Sequence, residues 1–206
     1  EMMNHGLPDH KQRFRRTVLP EDYADWAWAD NERRNGRPAP KVTPEEEEFV
    51  SGEWHKRLNG VWVLIKGNPY YLTGDAYVFF NYWITEIGTL PEFRMEAVEF
   101  FLIEDMAERD PQCYGTLWIK PRRLGETEKV MSRGVLIATK YRKSWFGMQN
   151  KNDDDAKANF DRAVVGAQNL PYFFQPQLCS GDTPQKQMGW RFPQQMGSKK
   201  IDRSLE

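Results

Sequence analysis

Residues 120–127 carry the densest concentration of chemistry in this chain: Lys120-Pro121-Arg122-Arg123-Leu124-Gly125-Glu126-Thr127. Three cations, a glycine and a hydroxyl stand between an apolar run and a helical pattern. A phosphate-binding loop needs these types there. Backbone N–H groups converge on phosphate oxygens at a helix N-terminus, a cation offsets the phosphate charge, and a hydroxyl helps to hold Mg²⁺. In the common spacing G-x-x-x-x-G-K-[ST], Gly125 and Thr127 take the second glycine and the hydroxyl. Lys120 stands where the first glycine would be, and Glu126 where the lysine would be. Lys129 is a rival cation, but it falls inside the following helix. On pattern alone, a generic loop with a surface lysine at Lys120 is an open reading.

The elements around this loop follow from hydrophobic periodicity. Residues 113–119 read as an apolar strand, 128–142 as a helix, 144–148 as a second strand and 153–170 as a second helix. The second helix presents Ala156, Phe160, Ala163, Val164 and Ala167 on one face. Strand and helix alternating at this spacing argue for an α/β fold with a parallel sheet and crossover helices. The candidate loop then lies at the sheet end where ligands gather. Gln149, Asn150 and Lys151 lie there as well, either as a DNA-backbone contact or as an ordinary loop. Residues 171–206 read as loop, with weak strands at 189–192 and 199–201.

Upstream, residues 1–40 read as a polar arm and linker with basic groups at Lys11, Arg13, Arg15 and Arg16 and a Pro/Gly-rich stretch at 35–40, either a solvated tail or a nucleic-acid-binding arm. Thr43 caps a helix that Pro44 opens and Glu46 braces, with Val50, Trp54 and Leu58 on one face and Asn59-Gly60 at its end. Val61–Ile65 and residues 70–72 form strands about Gly67-Asn68-Pro69. A short aromatic helix spans 75–84. Pro91 opens a further helix whose stripe is Met95, Val98, Leu102 and Met106. This places an α+β amino-terminal extension at 1–90 and the first part of a nucleotide-binding domain at 91–206. The acidic runs at 45–48 and 153–155 both sit at helix starts, where carboxylates suit the dipole, so they are read as capping chemistry. Lys140, Arg142 and Lys143 suit the opposite, C-terminal end of a helix.

Composition narrows the function classes. The 206 residues carry 29 Lys+Arg against 30 Asp+Glu, so charge alone does not indicate a tight, static nucleic-acid binder. Cys113 and Cys179 stand apart, and His5, His10 and His55 lack metal-ligand spacing; a disulfide scaffold and a zinc site are not expected. Apolar runs are too short to span a bilayer and a secretory core is absent, which suggests a soluble intracellular protein. Glu1 and the final Ser204-Leu205-Glu206 suggest cut ends.

Over residues 60–200 the chain resembles the ATPase domain of the large terminase subunit of tailed phages. The loop is similar to that family's R-x-L-G-[K/x]-[ST] form, in which the lysine can be displaced to the loop's start. Residues 145–151 (Trp-Phe-Gly-Met-Gln-Asn-Lys) resemble the family's second strand and following loop. Residues 159–176, from Asn159-Phe160-Asp161-Arg162 to Leu170-Pro171-Tyr172-Phe173-Phe174-Gln175-Pro176, resemble its helix ending in LPxFLQP. Tyr70-Tyr71-Leu72-Thr73-Gly74 and Asn81-Tyr82-Trp83 look like a crAss-like or related Bacteroidetes-phage group.

The resemblance implies a P-loop NTPase fold, truncated here before the strand that ends in Asp-Glu, and ATP hydrolysis coupled to packaging of double-stranded DNA. It implies ATP and Mg²⁺ as cofactors, with Lys120 and Arg122 catalytic. The nucleotide would be held by Lys120, Arg122, Arg123, Leu124, Gly125, Glu126, Thr127 and Glu128, with Thr127 on Mg²⁺. Portal protein, small terminase subunit, a homo-oligomeric ring and the host cytoplasm are the implied setting, without a membrane. A helicase-like P-loop ATPase and a catalytically silent docking module are the alternatives, the latter kept open by Glu126.

Overall fold

The acidic sequence Pro44-Glu45-Glu46 begins a helix because Thr43 Oγ1 accepts a hydrogen bond from Glu46 N at 3.1 Å and proline occupies the first turn. The computed structural model describes residues 14–65, 67–119, 125–141, 144 and 146–175, together with the backbone of residues 2–4, 177–178 and 190–191. Two compact units are discontinuous along the chain. The first gathers residues 1–20, 43–83 and 90–126; the second gathers 21–42, 84–89 and 127–206. The sequence had suggested a single division at residue 90.

In the first unit, helix α2 (Pro44–Asn59) leads through Gly60 (φ +72°) into strand β2 (Val61–Ile65). Antiparallel pairing joins β2 to β3 (Asn68–Leu72), and a short strand β1 (Met2–Asn4) runs parallel to β2 on its other edge. Val61 and Val63 face the core, whereas Trp62 turns outward against Tyr71, the alternation a half-buried strand requires. Helix α3 (Gly74–Tyr82) begins at Thr73, whose Oγ1 accepts from Ala76 N at 3.3 Å, and residues 75–82 are all buried. Its first residue must be glycine. A Cβ at Gly74 would lie 1.7 Å from the Arg57 carbonyl oxygen, so α3 meets the end of α2 closer than any side chain permits.

Helix α4 (Met95–Arg109) completes this core with Ala97, Val98, Phe100 and Phe101; the Phe101 ring lies 5.1 Å from that of Phe79. Two expectations are corrected here. Residues 91–94 do not join the helix, because the Pro91 carbonyl accepts from Arg16 Nη2 and Phe93 stacks on Phe14 at 4.9 Å. Leu102 and Met106, expected in the buried stripe, are exposed; paired phenylalanines claim the core instead.

In the second unit, helix α1 (Tyr23–Arg34) buries Trp26 and Ala29 in a region read from sequence as arm and linker. Arg34 fastens it by donating to the carbonyls of Gln175 (2.7 Å) and Tyr172 (2.8 Å). Sparse apolar residues between charges hid this helix, whose support is distant in sequence. Helix α5 (Glu126–Lys140) and helix α6 (Asp153–Gln168) fall close to their expected positions. Asn152 caps α6 by accepting from Asp155 N at 2.8 Å, and the three aspartates occupy its first turn. Ala163 and Ala167 of the expected face are buried, together with Gly166. A 3₁₀ turn (Tyr172–Phe174) follows, and β4 (Gln177–Leu178) pairs antiparallel with β5 (Trp190–Arg191), within the weak strand expected at 189–192. Residues 199–201 lie outside the described residues.

The strands expected at 113–119 and 144–148 form no ladder among the described residues, where the parallel pairing is β1 with β2. Residues 113–119 are held by side chains instead. Trp118 Nε1 donates to Glu104 Oε1 at 2.6 Å, Thr116 Oγ1 donates to the same carboxylate, and Leu117 and Ile119 are 88% and 92% exposed. The segment carries an apolar run, but a strand exists only with a neighbour for its N–H and C=O groups.

Candidate phosphate loop and the charged groups around it

Lys120, Arg122, Arg123 and Leu124 lie outside the described residues. The described part of the candidate loop starts at Gly125, whose φ of +70° lies in the left-handed region. Nothing lies within 4 Å of a Cβ built there, so the backbone angle, and no crowding, favours glycine. The chain enters α5 at the next residue, Glu126. Thr127 and Glu128 therefore belong to the first turn of α5, where N–H groups have no intrahelical acceptor.

Lys129 lies inside α5, as its position in the sequence suggested, and is buried at 3% exposure. Arg133, one turn further on, is buried too, whereas Val130 is exposed. The inner face of this helix thus joins the apolar Met131, Val135 and Leu136 to two buried cations that apolar periodicity does not report. Further along, Gly134 allows Phe146 to approach: a Cβ there would lie 2.3 Å from the ring.

From α6, Arg162 reaches a residue named in the candidate site. Its Nε donates to Glu86 Oε2 at 2.6 Å and Nη2 to Glu86 Oε1 at 3.1 Å, a bidentate pair. Nη1 donates to Asn159 Oδ1 at 2.7 Å, and Nε lies 3.9 Å from Glu128 Oε1. The Glu86 hydrogen bond raises the Arg162 pKa; desolvation opposes it, and the fields of Glu86 and then Glu128 add to the rise. The sequence singled out Arg162 only within a resemblance; its ties to residues 76 and 34 positions away have no local signature.

A second charged cluster, in the first unit, was not foreseen. Sequence periodicity put Val50, Trp54 and Leu58 on the inner face of α2, but the buried residues are Glu46, Glu53 and Arg57, and Leu58 is 54% exposed. Glu53 Oε2 accepts from the hydroxyls of Tyr77 (2.6 Å) and Tyr82 (2.7 Å), and Oε1 accepts from Lys56 Nζ (2.8 Å). Thr17 extends the network through Tyr77 OH (2.7 Å) and through its N–H to Asn81 Oδ1 (2.7 Å). Burial, then the field of Glu53, pushes the Tyr77 hydroxyl well above its ordinary range; Tyr82 is raised by burial, then by Tyr77 and Glu53. Burial pushes the Arg57 guanidinium down to about 10, with Asp75 acting in the opposite direction. The cluster is closed on itself, which suits scaffolding better than turnover.

Among the described residues, no group of His, Cys, Asp and Glu has the arrangement of a metal cage, and no helix is long and apolar enough to cross a membrane. Lys151, in the loop considered for DNA, pairs with Asp155 at 3.2 Å. No family model, curated protein or solved structure matches the chain.

Proposed function

We propose that this chain carries the phosphate-binding part of an ATP-driven motor of the large-terminase type, which couples ATP hydrolysis to movement of double-stranded DNA into a capsid. One observation supports the reading above others: Gly125 adopts a left-handed conformation immediately before α5, with Thr127 in its first turn. That junction suits a loop whose N–H groups turn toward an anion.

ATP bound there supplies the γ-phosphoryl group, and Mg²⁺ offsets its charge. Residues 124–127 contribute backbone donors, Thr127 contributes a hydroxyl toward the metal, and Lys120 supplies the cation that Glu126 does not. Arg122 stabilises charge that develops on the transferred group. Arg123 and Glu128 complete the nucleotide-contacting set. Double-stranded DNA, a portal ring, a small terminase subunit and further copies of the chain in the host cytoplasm are the corresponding partners and setting.

The deciding comparison is Mg·ATP binding and DNA-stimulated hydrolysis by wild type and Lys120→Ala, with circular dichroism to verify the fold. Loss of nucleotide binding and turnover in a folded variant supports a displaced-lysine motor. An unaffected variant transfers the phosphate role to another cation, Lys129 first. A wild type that binds no nucleotide favours the docking-module reading suggested by Glu126.

A further inference from the structure

Helix α4 has two apolar sides. Ala97, Val98, Phe100 and Phe101 enter the core of the first unit, whereas Leu102, Ile103 and Met106 are exposed, Met106 by 62%. At 3.6 residues per turn these three gather on the side opposite Ala97 and Phe101. Next to them, the Glu104 carboxylate holds segment 113–119 through Thr116 and Trp118, and that segment adds the exposed Leu117 and Ile119. Apolar groups gathered in this way, rather than scattered singly, mark a surface that a partner covers.

Charge narrows the choice of partner. From Met95 to Arg109 the helix carries five carboxylates against one arginine, a net charge of −4, and that arginine is paired with Asp105 at 2.8 Å. Glu96 and Glu99 are exposed, and Glu99 lies one turn before Ile103. Contact with a second copy through the same face would bring two acidic helices together, and nucleic acid or an anionic lipid surface would meet the same repulsion. An apolar helical seam flanked by carboxylates is matched by an apolar seam flanked by cations, the rule that selects partners among coiled-coil helices. We propose that the outer side of α4 is a docking face for a basic amphipathic helix of another protein. Leu102, Ile103 and Met106 receive its apolar side chains, and Glu96 and Glu99 face its lysines or arginines. The docking face stands independently of the nucleotide-binding reading.

The test is calorimetric titration of the whole chain with three synthetic helical peptides of equal length. The first carries leucines on one face with lysines beside them; the second replaces the lysines by glutamates; the third keeps the lysines and replaces the leucines by alanines. The first is expected to bind about tenfold tighter than either of the others, and to weaken as salt is raised. Leu102→Ser combined with Met106→Ser is expected to weaken it about tenfold, the scale of one apolar side chain left in water. Glu99→Lys is expected to weaken it about fivefold, an effect that fades at high salt. Melting temperatures should stay at the wild-type value in all these variants, since the replaced side chains lie in solvent. Hydrogen exchange should slow on α4 when the first peptide binds. Failure of that peptide to bind, equal binding of the lysine and glutamate peptides, or binding that the double serine variant leaves unchanged overturns the inference. So does a wild type that sediments as a dimer which Met106→Ser dissociates, because the face then belongs to a second copy.

Discussion

Glu53 in the first unit and Glu128 in the second are both carboxylates on helices with cationic neighbours, yet their surroundings differ in enclosure. Glu53 is sealed, accepting from two tyrosine hydroxyls and Lys56. Glu128 retains some exposure, and the cation on its α6 side is held mainly by a different partner, Glu86. A closed network of buried polar groups fixes one arrangement of helices, because removing any member strands the others away from water. A partly open cluster can change its balance of charge when a ligand arrives. Charged residues alone do not distinguish the two environments; burial and access to solvent do.

The sharpest way to break this comparison is at Glu53. Replacement by Ala removes the acceptor of the buried Tyr77 and Tyr82 hydroxyls and of Lys56, and about 3–5 kcal/mol of stability should be lost in denaturant titration. Arg162→Gln, by contrast, should alter unfolding by less than about 1 kcal/mol, since its main partner Glu86 is 48% exposed and solvent screens that pair. Comparable losses in the two variants would abolish the distinction.

Glycine positions sharpen it next. Gly74→Ala meets the Arg57 backbone at 1.7 Å, so α2 and α3 must move apart, at a cost of about 3 kcal/mol or more in thermal unfolding. Gly134→Ala meets a ring instead; Phe146 is 41% exposed and can swing aside, so about 1 kcal/mol is expected. Gly125→Ala meets no atom and carries only its backbone angle, at about 1–2 kcal/mol. Its effect should appear more clearly in Mg·ATP affinity than in melting temperature.

Alkaline titration reads the sealed cluster separately. Tyr77 and Tyr82 have folded-state pKa values raised above the ordinary tyrosine value of 10.0. The unfolded chain therefore releases these protons first, and the stability associated with them declines as pH rises above that value. Arg57 acts oppositely, its folded-state value being lowered to about 10, so its burial penalty eases in the same range. With two tyrosines opposing one arginine, a net loss of stability above pH 10 is expected in pH-dependent denaturation. Tyr82→Phe should flatten that decline.

Much of the local structure was legible. Thr43-Pro44, Asn59-Gly60 and the apolar run of β2 before its Gly67-Asn68-Pro69 turn gave boundaries close to those observed, because caps and turns depend on neighbours in sequence. The faces of α2 and α4 were misread because their inner sides depend on distant groups: Tyr77 and Tyr82 for Glu53, Phe79 for Phe101. Helix α1 was missed for the same reason, its fastening lying at Tyr172 and Gln175. Of the candidate site, the loop's composition and the place of its glycine were legible; the Glu86–Arg162–Glu128 arrangement was not.

The sequence by itself determined where α2 starts and stops, since a side-chain cap, a proline ring and a glycine angle act within a few residues. It also placed Gly125 just ahead of a helix expected at 128–142, whereas the structure starts that helix at Glu126 and includes Thr127. Only the tertiary structure decided which charges are enclosed, that Lys129 turns inward, and that Arg162 stands between Glu86 and Glu128. Burial and charge pairing are properties of groups brought together from distant positions, and their free energy depends on a surrounding dielectric that no local pattern encodes.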